Sequence, residues 1–314
     1  MKRAFVFPGQ GSQAVGMGKA LADAFPVAAQ VFEEVDDALS QNLTKLMYEG
    51  PIEELTLTEN TQPALMATSV AVARVLEAES GKKLSEMADF VAGHSLGEYS
   101  ALTAAGSLQL ADTARLLKAR GLAMQKAVPV GEGAMAALLG MEIGGVEELV
   151  AEADGAAGIC VIANDNADGQ VVLSGDKDAV AHVIELAKEK GVRKAMMLPV
   201  SAPFHCPLMQ PAADEMKAQL ADVSIAPPLV PLVANVTASQ VSDPETIRGL
   251  LVEQVTGRVR WRESVLYMGE QEVEALVELG TGKVLSAMVR RINKEMTGSA
   301  VQTPEDIEAF LGSL

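Results

Sequence analysis

Between Phe90 and Ala105 the chain permits very few backbone paths. Phe90-Val91-Ala92 is a short apolar run with the character of a buried strand. Glu98 to Ala105 is a helix-forming run. The five residues between them, Gly93-His94-Ser95-Leu96-Gly97, must turn sharply, and a glycine stands on either side of the serine. Strand, tight turn with a central serine, then helix is the nucleophile-elbow pattern. Small residues admit the strained turn, the hydroxyl is held clear of the backbone, and the helix aims its first N–H groups at the site. A glycine-rich turn that contains a serine without using it is the competing reading.

The rest of the chain bounds what such an elbow can belong to. With 314 residues, 49% of them hydrophobic and 21% charged, it can bury a sizeable core as one large domain or two smaller ones. No apolar run reaches the length of a membrane span, and Met1-Lys2-Arg3 with Ala4 to Gly9 stops too early for a signal peptide. Cys160 and Cys206 make no disulfide framework, so a cytoplasmic protein is expected. It is also expected to be a monomer. Three histidines and two cysteines lie without ligand spacing, so no metal is expected; no cofactor is expected either. Twenty-five basic against 42 acidic residues give a net charge of −17, which argues against a nucleic-acid partner.

Arg3 to Phe7 reads as a strand, Gly18 to Leu39 and Pro63 to Glu79 as helices, and Leu110 to Ala127 as a long amphipathic helix. After Pro129 the rhythm changes. Strands at 134–139, 159–163, 170–174 and 194–199, with helices at 145–153 and 178–190, spell βαββαβ, the ferredoxin-like arrangement. The alternation then resumes: helix Met209 to Ala221, strand Val230 to Val236, helix Pro244 to Gln254, helix Arg262 to Gly269, strand Ala275 to Leu279 and a final helix Lys283 to Lys294. The fold expected is α/β, a mainly parallel sheet resembling that of α/β-hydrolases with an inserted ferredoxin-like subdomain. Residues 1–129 and 200–314 would form the large subdomain and 130–199 the small one.

A serine nucleophile needs a base, usually a histidine. His182 falls within a regular helix, and His94 adjoins Ser95 on a turn where neighbouring side chains diverge. His205 lies in Ser201-Ala202-Pro203-Phe204-His205-Cys206-Pro207, a proline-bounded loop of the kind that carries function. It is the favoured base, with a structural histidine as the alternative. No acidic residue stands out as its orienting partner. On the helix Leu110 to Ala127, at about 3.6 residues per turn, Leu110, Leu117, Gly121 and Met124 share a face, and Arg120 falls inside that stripe. A buried arginine is costly unless paired. Either it pairs with an internal carboxylate or snorkels, or it awaits an anionic substrate group. Two further turns are decoys. Gly9 to Ala14 lacks the second strand and acid of a dinucleotide fingerprint, though its N–H groups suit an oxyanion hole, and Gly280-Thr281-Gly282-Lys283 lacks P-loop spacing.

Read together, these segments resemble the malonyl-CoA:acyl carrier protein transacylases of fatty-acid synthesis, over nearly the full length. The resemblance rests on Phe7-Pro8-Gly9-Gln10-Gly11-Ser12-Gln13, Thr61-Gln62-Pro63-Ala64-Leu65, Gly93-His94-Ser95-Leu96-Gly97-Glu98, Arg120-Gly121, Asn164, Pro203-Phe204-His205 and Glu278-Leu279-Gly280. It implies that Ser95 takes malonyl from malonyl-CoA and passes it to the phosphopantetheine thiol of acyl carrier protein, with His205 as base. It implies the N–H groups of Gln10 and Leu96 as oxyanion hole, Arg120 as clamp on the malonyl carboxylate, and Gln10, Asn164 and Phe204 against substrate. A backbone carbonyl at Gln254 would orient His205 in place of an acid. Carrier proteins of this pathway are acidic, so docking implies a local basic patch. The candidates are Lys188, Lys190, Arg193 and Lys194, or Arg258, Arg260 and Arg262. A serine esterase, a non-catalytic carrier-binding module and a transferase for another acyl-CoA are the rival readings.

Overall fold

A computed structural model of the chain describes residues 1–153, 157–192, 194–200 and 202–314. Two sheets organise it. The larger is built from β1 (Lys2–Phe7), β2 (Phe90–Gly93), β7 (Leu232–Val233), β8 (Gln240–Val241), β9 (Val273–Leu279) and β10 (Thr297–Val301). Its order is β10-β9-β1-β2-β7-β8, and every neighbouring pair is parallel except β7 with β8. The smaller sheet holds β3 (Gly133–Leu139), β4 (Cys160–Ala167), β5 (Gln170–Asp176) and β6 (Lys194–Met197) in the order β4-β5-β3-β6, antiparallel throughout. Helices Ile143–Ala153 and Lys177–Glu189 pack on it, giving βαββαβ connectivity.

Alternation along β1 explains why the large sheet is covered on both sides. Phe5 and Phe7 point into one core with the helices Thr58–Ser80 and Leu110–Ala127; Ala4 and Val6 point into another around Trp261. Side chains on successive strand residues face opposite ways, so an all-apolar strand needs two cores. The helix Thr58–Ser80 is buried around most of its circumference, consistent with its low amphipathicity and its place in the middle of the molecule.

Several boundaries differ from the sequence reading. The helix read over 18–39 is two helices, Lys19–Ala24 and Pro26–Leu39, because Phe25 is extended and Pro26 opens the second at its first position. The helix read from Pro63 begins at Thr58, where Thr61 Oγ1 and Asn60 Nδ2 tie its first turn to the carbonyls of Leu55 and Glu54. The strand read over 230–236 shortens to Leu232–Val233, since the chain turns at Asn235 to run back as β8. After the helix Val284–Ile292 come β10 and a helix Pro304–Leu311, capped by Thr303 and Asp306. Neither is in the sequence reading. β10 is a polar edge strand that pairs with β9 and shows no apolar alternation.

Candidate active site

The elbow forms where β2 ends. The His94 N–H donates to Phe7 O at 3.0 Å, the Gly97 N–H returns to His94 O at 2.9 Å, and the helix Gly97–Ala104 leads away. Ser95 sits at the apex with φ 54°, in the left-handed region that costs a non-glycine residue energy. Both flanking glycines are steric necessities. A Cβ on Gly93 would lie 1.9 Å from the Gly97 carbonyl, and one on Gly97 would lie 2.2 Å from Phe7 O.

The loop after β6 brings His205 to this apex. Its Nε2 is 2.7 Å from Ser95 Oγ, and its Nδ1 is 2.9 Å from the main-chain carbonyl of Gln254. A carbonyl only accepts, so Nδ1 carries the proton and donates. Nε2 is therefore left to accept from the serine hydroxyl. His205 is buried, with φ 57°, and its pKa is pushed down to about 3 by burial first and by the Arg120 charge second. It is neutral at pH 7.

Arg120 reaches the same point from the helix Leu110–Ala127. Only 1% exposed, it donates from NH1 to Gln62 Oε1 at 2.8 Å, and from NH2 to Gln254 Oε1 at 2.9 Å and Ser95 Oγ at 3.3 Å. Its bonded partners are amide and hydroxyl oxygens. Among the described residues no carboxylate touches it.

A cavity of about 440 Å³ opens in front of these groups, between the two sheets. Ser95, His205, Arg120, Gln10, Leu96, Asn164 and Phe204 all line it. Gln254 does not: it lies fully buried behind Arg120 and His205. Among the described residues no protein acceptor takes the N–H of Gln10 or of Leu96. Asn164 stands at an irregularity in β4 and bridges to Val259, which binds the small sheet to the large unit at the cavity wall. His94 turns away from the serine and meets Asn166 Oδ1 through Nε2 at 2.8 Å; His182 is exposed on its helix.

Gln62, Glu98, Asn166 and Asn235 also belong to this site and received no role from sequence. Asn235 takes the Ser95 N–H on Oδ1 at 2.8 Å and donates from Nδ2 to Gly93 O at 2.6 Å, bracing the elbow on both sides. The signal was present as one polar residue in the apolar run 230–236. The basic residues considered for docking are engaged with acids of this chain: Lys188 with Glu185, Lys190 with Glu152, Arg258 with Glu147, Arg260 with Glu263 and Arg262 with Asp165. Lys194 is exposed, and Arg193 lies outside the described residues. Among the described residues, no cluster of His, Cys, Asp and Glu could hold a metal ion, and no helix is long and apolar enough to cross a membrane.

A mainly parallel α/β sheet with a serine elbow, a neutral histidine on its hydroxyl and a cation beside both has the build that serine-nucleophile enzymes use. The acyl transferase domain family matches residues 4–307. Malonyl CoA-acyl carrier protein transacylase of Bacillus subtilis is 44% identical over all of this chain and 97% of its own length. The crystal structure of acyl-carrier-protein-S-malonyltransferase from Bartonella henselae superposes with a TM-score of 0.97 at 55% identity, over 100% of this chain and 99% of that one. A structure of a type II PKS acyl-carrier protein in complex with its malonyl-transacylase matches with a TM-score of 0.95 at 41% identity, over the whole of both chains. The chain belongs to the acyl transferase domain family and is an acyltransferase.

Proposed function

We propose that this chain moves malonyl from malonyl-CoA to the phosphopantetheine thiol of an acyl carrier protein, through an ester on Ser95. The observation that carries the choice of acyl group is Arg120, a buried guanidinium 3.3 Å from the elbow hydroxyl and bonded to no carboxylate among the described residues. An acyl group held at Ser95 and ending in its own carboxylate two carbons on suits that distance. A planar guanidinium suits two-point contact with it.

In the first half-reaction Ser95 Oγ bonds to the thioester carbon while its proton passes to His205 Nε2. The oxyanion that forms is held by the N–H groups of Gln10 and Leu96. The C–S bond then breaks and His205 returns the proton to the CoA sulfur. The second half-reaction runs the same steps backwards with the carrier's thiol. Atoms and electrons balance without a redox group or a metal, so the reading requires no cofactor. Gln254 orients His205 through its carbonyl, and Asn164 and Phe204 shape the cavity. Residues 1–129 and 200–314 act as the catalytic unit and 130–199 as an insert that closes the cavity; the separate sheets support that division.

The test is radiolabelled malonyl-CoA followed by acid quench and peptide mapping, with acetyl-CoA in parallel. Label is expected on the Ser95 peptide, discharged by a pantetheine thiol and absent from Ser95→Ala. Arg120→Ala should lower malonyl transfer far more than acetyl transfer. Rapid release of free malonate would mean a hydrolase, and equal losses on both donors would remove Arg120 as the clamp.

A further inference from the structure

Glu98 takes part in none of these steps, yet its carboxyl is 1% exposed at the centre of the site. It stands in the first turn of the elbow helix, but it does not cap that helix. Oε1 accepts the Asn235 N–H at 3.3 Å, and Oε2 accepts from Gln254 Nε2. Both partners come from the other side of the site.

The chemistry of the groups dictates which way the Gln254 amide points. Arg120 is a donor only, so the Gln254 atom 2.9 Å from its NH2 must be the oxygen. The amide nitrogen is then turned toward Glu98, and lies 2.9 Å from Ser95 O as well. The peptide carbonyl of this same residue holds the His205 Nδ1 proton. One glutamine therefore touches the cation with its side chain and the base with its main chain. Its amide nitrogen has Glu98 Oε2, Ser95 O and, at 3.4 Å, Asn235 Oδ1 as acceptors, and Glu98 is the one carboxyl among them.

We propose that Glu98 is a positioning residue of the transfer reaction: by holding the Gln254 amide, it keeps Arg120 and His205 in register about Ser95. The inference rests on the malonyl reading above. Burial pushes the carboxyl up to about 7, while the hydrogen bonds from Gln254 and Asn235 and the Arg120 charge pull it back toward the ionised acceptor. Placing the amide between Glu98 and Arg120 also keeps the two from forming a direct ion pair.

The experiment is a double-mutant cycle with Glu98→Gln, Gln254→Ala and both together. It is read as single-turnover labelling of Ser95 from malonyl-CoA and from acetyl-CoA, with melting temperatures in parallel. Glu98→Gln keeps the shape but sets an amide donor against a donor. Each single variant is expected to lower malonyl transfer by about 10- to 100-fold, as a small misplacement of catalytic groups does, and to narrow the malonyl-over-acetyl ratio. The double variant should be no worse than the worse single one, because both changes break one connection. Losses that multiply, or an unchanged malonyl-over-acetyl ratio in Glu98→Gln, would overturn the inference. If Glu98→Gln does not fold, Gln254→Ala with an unchanged ratio would overturn it equally. Wild-type protein that takes no malonyl would sink the malonyl reading itself, whereas an active wild type with an indifferent Glu98→Gln sinks only this inference.

Discussion

Arg120 NH2 is 3.3 Å from Ser95 Oγ, which is itself 2.7 Å from His205 Nε2, so a permanent cation sits one atom away from the base. An imidazolium there would face like charge in a buried site, and both effects depress the His205 pKa. The sign of an arginine deletion follows. Arg120→Ala removes the repulsion, so the His205 pKa should rise, while burial still holds it below 6.5. Titrating the His205 ring protons by NMR in both proteins checks this; a pKa that stays put or falls would mean the arginine charge is not felt at the ring. Arg120 itself was legible, because an arginine inside an apolar stripe of a long helix breaks the period. What it bonds was left open by sequence; besides the Ser95 hydroxyl, the answer is two glutamine oxygens, from residues 58 and 134 positions away. Glu98 was legible only as the last residue of the elbow segment, with no role attached. Gly97 to Thr103 is buried on every side, so that helix has no exposed face against which a buried acid would stand out.

The elbow is the element whose form the residues dictate most tightly. Gly97 faces the backbone of β1, with Phe7 O 2.2 Å from any Cβ added there. Main chain in the middle of a sheet cannot give way by that much. Gly97→Ala should therefore cost roughly 3 kcal/mol or more, as severe overpacking does, and abolish labelling of Ser95. Gly249 gives the matched control. It is exposed within the helix Pro244–Glu253, and a Cβ would meet nothing within 4 Å. Gly249→Ala should raise stability by about 0.5–1 kcal/mol, because alanine is the better helix residue and has less freedom to lose. Denaturant titrations of the two variants read opposite shifts, and a destabilised Gly249→Ala or an unaffected Gly97→Ala would contradict the argument. The elbow was readable because strand, turn and helix are adjacent in sequence. β10 was not, since three of its five residues are exposed and its pairing partner β9 lies about twenty positions away.

At the scale of the whole molecule, the cavity is walled by residues of the small sheet as well as of the large one. β4 is the seat of the small sheet against the large unit. Asn164 bridges to Val259, the Asp165 N–H donates to Val259 O at 3.0 Å, and the Asp165 carboxylate takes Arg262 Nε on both oxygens, at 3.1 and 3.0 Å. Asn164 and Asn166 on either side of that aspartate line the cavity. The sequence reading offered Arg262 to an acidic partner; the structure uses it internally, a choice between solvent and a distant strand that local pattern cannot make. The ion pair is unequally buried, with the Asp165 side chain 1% exposed and that of Arg262 20%. Removing the arginine strands a carboxylate away from water, whereas removing the acid leaves a cation that still reaches solvent. Arg262→Ala should therefore cost about 3 kcal/mol or more, the range for breaking a buried pair from the side that leaves a charge behind. Asp165→Asn keeps one acceptor for the guanidinium and should cost about 1–2 kcal/mol. The seat also shapes the cavity wall, so malonyl transfer should fall in the same order at temperatures where both variants remain folded. Thermal unfolding and Ser95 labelling on the two proteins decide it. Equal losses, or a larger loss in Asp165→Asn, would mean that burial of the carboxylate does not set the strength of this junction.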